Sequence, residues 1–93
     1  MSKLKLRKEV RVFAEAMELK LRVNDYKGGW KNDIPVQLYD RVLEEMEEFG
    51  EEFLKEISFS LLDEGADVAN MIMMVCDVEG KLDTQKMLVR LRH

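Results

Sequence analysis

From Leu61 to about Glu79 the chain is apolar nearly all round when its residues are set on a helix that turns about 100° at each step. With Val68 at the origin, Leu61, Ile72, Val75 and Cys76 crowd one side, while Leu62, Ala66, Ala69 and Met73 cover much of the other. Such a helix has no face for water and must lie at the centre of whatever the chain builds. A chain of 93 residues holds one core, so the expectation is a single domain over residues 1–93 whose other elements surround this helix.

Three further helices are predicted. Apolar residues at 6, 10, 13, 17 and 21 recur at spacings of three and four, which gives a first helix from Leu4 to about Arg22. Residues 23–35 then contain Gly28, Gly29, two Asn and Pro35, and read as a loop that also carries Tyr26, Lys27, Trp30 and Lys31. A second helix follows from about Val36 to Ile57, with Leu38, Val42, Met46, Phe49 and Phe53 as its expected seam. Ser60 is placed to cap the apolar third helix, Gly80 to end it, and Asp83 or Thr84 to start a short fourth helix through Leu91. With no strand alternation and no repeat, the fold class is all-α, a small antiparallel bundle of about four helices. Three amphipathic helices cannot cover the third on every side, so homo-oligomerisation is expected to complete the bundle, at the Met71, Met73 and Met74 surface.

Charge is distributed unevenly: residues 1–31 carry a net +5, residues 32–67 a net −10 and residues 68–93 a net +1. An acidic middle argues against a nucleic-acid binder, which needs a basic face to displace counterions, while the basic opening segment can still hold phosphates. The most apolar run, Met71 to Cys76, is too short to span a bilayer, so no membrane association is expected. Cys76 has no partner for a disulfide, and the opening MSKLKLRKEV has no apolar core of a secretory signal, which together point to the cytoplasm. His93 stands alone at the end and offers no metal constellation.

Seven of the twelve Glu lie between 44 and 56, and a run of this kind is ordinarily a solvated face. The wheel separates them. With Val42 at the origin, Glu44, Glu47 and Glu51 fall on the far side, whereas Glu45, Glu48 and Glu52 lie along one flank of the seam. On the third helix Glu64 falls inside the apolar arc and Asp67 beside it. Ionised carboxylates in such surroundings need a countercharge: either a cation held by several of them across antiparallel helices, or an ion pair with Lys20, Arg22 or Arg41. Oxygen ligands without a nearby His or Cys suit Mg²⁺, with Mn²⁺ as a substitute.

Glu45-x-x-Glu48 followed after fifteen residues by Glu64-x-x-Asp67 resembles the metal-binding signature of the all-α nucleoside triphosphate pyrophosphohydrolases, and specifically their MazG-like family. The stretch Leu38 to Phe49 (LYDRVLEEMEEF) is similar to the family's EExxE-bearing helix, and Glu64 to Asp77 (EGADVANMIMMVCD) to its E-x-x-D-x-x-N helix. Upstream, Phe13, Met17, Lys20, Leu21, Asn24 and Lys27-Gly28-Gly29-Trp30 look like the opening segment of short members, so that the resemblance covers about residues 13–78.

The resemblance implies hydrolysis of a nucleoside triphosphate to the monophosphate and pyrophosphate with Mg²⁺. It implies Glu45, Glu48, Glu64 and Asp67 as metal ligands and catalytic residues, and Lys20, Asn24, Lys27, Trp30, Lys31 and Asn70 as substrate-binding residues. Glu44 or Glu45 is the candidate acceptor of the water proton. Trp30 has two readings, a surface that stacks on a base and an anchor that pins the loop. The family also implies a homodimer or a dimer of dimers. Two alternatives stand beside this reading: phosphoribosyl-ATP pyrophosphatase, which shares the acidic arrangement, and a non-enzymatic module in which the acidic helix meets a basic partner.

Overall fold

A computed structural model describes residues 4–92; His93 lies outside the described residues. Among them the chain is all-helical and has no strand. Four α-helices, α1 (Lys8–Val23), α2 (Pro35–Phe53), α3 (Leu61–Val78) and α4 (Thr84–Leu91), are joined by connections of which the first contains a 3₁₀ turn, Asp25–Lys27.

The apolar third helix is central, as its pattern requires: α1 and α2 both pack on α3 and not on each other. Leu38 and Val42 of α2 meet Met71 of α3, with Met74, Val75 and Val78 alongside. At the other end of this pair, Gly65 of α3 lies under the rings of Phe49 from α2 and Phe13 from α1, where a methyl group would stand 3.4 Å from the first and 3.6 Å from the second. The pairing of Leu38 with Met71 and of Phe49 with Gly65 makes α2 and α3 antiparallel, while Phe13 near Gly65 and Met17 bonded to Asn70 give α1 the same sense as α3.

The helix ends follow from local chemistry. Pro35 occupies the first turn of α2, where its missing N–H costs nothing. At the end of α3, Gly80 has φ +72° and its N–H donates to the Asp77 carbonyl while that of Lys81 donates to Cys76, a Schellman closure that favours glycine. Asp83 caps α4 by accepting from the N–H groups of Gln85 and Lys86. Ser60 precedes α3 without a side-chain cap bond.

Three expectations need correction. Helix α2 ends at Phe53 rather than near Ile57, because Glu52 accepts from Lys55 Nζ and Ser58 Oγ, each at 2.7 Å, and folds the chain back toward α3. The helix is also rotated about 40° from the expected seam: Leu38, Val42 and Glu52 are buried and Glu45 and Phe49 half-buried, whereas Met46 and Phe53 are 51% and 65% exposed. The flank of carboxylates faces α3, and two apolar residues face water. Met71, expected at a subunit surface, is buried in the core instead.

Candidate functional site

The rotation of α2 sets its acidic flank against the first two turns of α3. Glu45, Glu48 and Glu64 each bring a carboxylate oxygen within 4.8 Å of the others. Glu45 and Glu64 are half-buried, and Oε2 of each is fully enclosed with no hydrogen-bond partner. Burial, reinforced by the charges of Glu48 and Asp67, a hydrogen bond to Glu48 and the charge of Glu64, pushes the Glu45 carboxyl up to about 7. Burial, then the charges of Asp67 and Glu48, also raises Glu64. Like charges this close favour the protonated forms of Glu45 and Glu64 unless a cation intervenes.

Asp67, the fourth expected ligand, stands apart. It turns to Lys20 of α1, with Nζ 3.6 Å from Oδ2. Burial raises its proton affinity and the ammonium works against that rise. A carboxylate cluster and a cross-helix ion pair thus stand side by side, and the contact with Lys20 is the ion pair that the sequence offered for Asp67.

Beside the cluster lies a cavity of about 540 Å³. Glu45 and Asp67 form its acidic edge, Lys20, Lys27 and Arg41 bring positive charge, and Asn24, Gly28, Gly29, Trp30 and Asn70 complete most of its wall. Asn70 is 4% exposed; its Nδ2 donates to the Met17 carbonyl at 2.9 Å, and its Oδ1 has no partner. A carbonyl accepts only, so this bond fixes the amide and leaves Oδ1 as the acceptor. Asn70 Oδ1 thus complements a donor such as a sugar hydroxyl.

Lys31 alone of the expected substrate residues does not line this cavity. Its ammonium pairs with Asp77 near the end of α3 and lies 5.5 Å from the Trp30 ring centroid. The Trp30 indole donates to the same Asp77 oxygen at 2.9 Å, so Trp30 both anchors the loop and lines the cavity. Three residues have places that the sequence did not assign to them. Arg41, on the polar side of a helix, entered only as an ion-pair partner. Asp77, in the last turn of α3 where no basic residue offsets the helix dipole, carried a signal that would have found it. Glu52, expected in the acidic stripe, is 8% exposed and fully engaged with Lys55 and Ser58, which hold its carboxyl below the usual range.

No protein-family model, curated protein or solved structure matches the chain.

Proposed function

We propose that the protein is a Mg²⁺-dependent nucleoside triphosphate pyrophosphohydrolase of the MazG-like kind, cleaving between the α and β phosphorus atoms. The observation that carries this reading is the adjacency of two opposite features. A cluster of three carboxylates with enclosed, unpartnered oxygens on Glu45 and Glu64 adjoins a cavity edged by Lys20, Lys27 and Arg41. The donor set fits a hard divalent cation: oxygen only, partly dehydrated, and destabilised by its own like charges until a cation is bound.

Glu45, Glu48 and Glu64 would hold the ion, with Asp67 joining them on release from Lys20. When bound, Mg²⁺ supplies neutralisation of the triphosphate and polarisation of its phosphoryl oxygens. The chain's own groups do the rest. Lys20, Lys27 and Arg41 bind phosphate oxygens, Asn70 Oδ1 receives a sugar hydroxyl, and the Trp30 ring borders the base. For the proton of the attacking water the reading uses Glu45, since Glu44 is exposed on the outer face of α2.

The reading includes a homodimer and a cytoplasmic location. Support for association comes from apolar side chains left in water at the α2–α3 connection, with Phe59 at 94% exposure beside Leu54 and Ile57, and along α4. A panel of ribo- and deoxynucleoside triphosphates incubated with Mg²⁺ tests the activity: pyrophosphate and monophosphate in equal amounts are expected. Orthophosphate as the product, or no turnover of any nucleotide, overturns it.

A further inference from the structure

The loop between α1 and α2 forms one wall of the cavity, yet nothing within the loop explains why it stands there. Lys27, Gly28, Gly29, Trp30 and Asp33 all line the cavity, and Gly28, at φ +88°, turns the backbone with no atom near enough to meet a side chain. Two bonds that cross from this segment to the helices meet at one oxygen. Trp30 Nε1 and Lys31 Nζ both donate to Asp77 Oδ2, the first across 47 residues of sequence.

Asp77 is poorly placed for helix stability. A carboxylate in the last turn of a helix meets the negative end of the backbone dipole, and α3 has no basic residue there to offset it. Two donors from the loop supply the compensation, and they hold its carboxyl below the usual carboxylate range, Lys31 first and Trp30 second. An acid that breaks a local rule and is rescued only by a distant loop marks a tertiary constraint.

We propose that Asp77 is the positioning residue of the cavity: by clamping Trp30 and Lys31 to the end of α3, it fixes the loop wall in the place where it meets substrate. The clamp rests on the reading of the cavity as the nucleotide site, but its geometry does not. The two bonds differ in weight. Lys31 is 70% exposed, so its ion pair is largely screened by water, while the indole bond is partly buried and carries most of the constraint.

Trp30 is the sole tryptophan, so its fluorescence reports the loop directly. In Asp77→Ala, the emission is expected to move to longer wavelength and acrylamide quenching to increase, with far-ultraviolet circular dichroism unchanged. Asp77→Asn keeps an acceptor for the indole and is expected to restore both signals. In turnover assays Asp77→Ala should raise KM about tenfold and change kcat less than about twofold, because a wall that binds ground and transition states alike acts on KM. Trp30→Phe, which removes the donor and keeps a ring, should give the same rise, and the double variant no further rise, since both delete one interaction. If Asp77→Ala fails to fold, Trp30→Phe and Asp77→Asn decide the matter: the clamp requires the KM rise in the first and native KM, emission and quenching in the second, and either result reversed overturns it. Native emission and quenching in Asp77→Ala, or additive effects in the double variant, overturn the clamp. Absence of hydrolysis in the unmodified protein would overturn the proposed activity alone, and the fluorescence would still judge the clamp.

Discussion

The Lys20 ammonium lies 3.6 Å from the Asp67 carboxylate, and this contact joins the basic first helix to the acidic side of the central one. Each side chain is only about one-quarter exposed (28% and 23%), so the pair is less screened than a surface ion pair. Lys20→Met keeps the aliphatic stem and removes the charge. Urea denaturation at pH 7 is expected to show a loss of about 1 kcal/mol. Titration calorimetry should separate two further effects: Mg²⁺ binds the variant at least as tightly, because no ammonium competes for Asp67, while Mg²⁺-nucleotide binds more weakly, because a phosphate partner is gone.

Glu48→Gln and Glu64→Gln are expected to abolish hydrolysis and the rise in melting temperature that Mg²⁺ produces in the unmodified protein, with helicity intact. Each replaces one member of the three-carboxylate cluster by a neutral group of equal size. Glu47→Gln, on the exposed face of α2, should leave both properties unchanged. Equal sensitivity at Glu47 would mean that α2 is rotated away from the placement described above.

Metal-free stability should depend on pH in a specific direction. The Glu45 carboxyl, pushed up to about 7 by burial in the folded protein, returns to its ordinary value of 4.5 on unfolding. Between these values the folded state binds the extra proton, so stability is fully present below about 4.5 and is lost as pH rises through about 7. Thermal melts in chelator should therefore show a falling midpoint across this window, and Glu45→Gln should flatten it. Saturating Mg²⁺ should flatten it as well, since a bound cation favours the ionised form that folding otherwise disfavours.

The positions of the four helices were legible because spacings of three and four, with Pro35, Gly80 and Asp83 at helix ends, are local signals. The facing of α2 was not. Assigning Met46 and Phe53 to the interior follows from hydropathy, yet the side toward α3 carries Glu45 and Glu52, whose burial depends on Glu64, Lys55 and Ser58 brought in by the fold. Glu45, Glu48 and Glu64 were nameable from the wheel and the resemblance together. The division of labour between that trio and the Lys20–Asp67 pair was not, because rotamers choose between a cluster and an ion pair only in three dimensions. The Trp30–Asp77 bond lies beyond any periodicity, since it links a loop to a helix end 47 residues away.

Helix α4 gives the last expectation. It has eight residues, a capped start at Asp83, and Met87, Leu88 and Leu91 in water, and it approaches none of the other helices. A helix this short is not stable on its own in water, because one cap bond offsets only a small part of the cost of nucleation. It therefore requires a surface to lie on, and α1 and α2 are already committed to α3 within the chain. The homodimer proposed above would provide that surface. Phe53, Leu54, Ile57 and Phe59 form an exposed apolar patch at the α2–α3 connection, next to the acidic outer face of α2, and α4 brings Lys86 and Arg90 beside its apolar residues. Light scattering at micromolar concentration should return a multiple of 10.9 kDa. Leu88→Asp and Phe59→Asp should each shift the population toward monomer and erase amide-exchange protection in residues 86–91. A monomer of unmodified sequence whose residues 86–91 are nevertheless protected would overturn this, and would require α4 to fold back on its own chain.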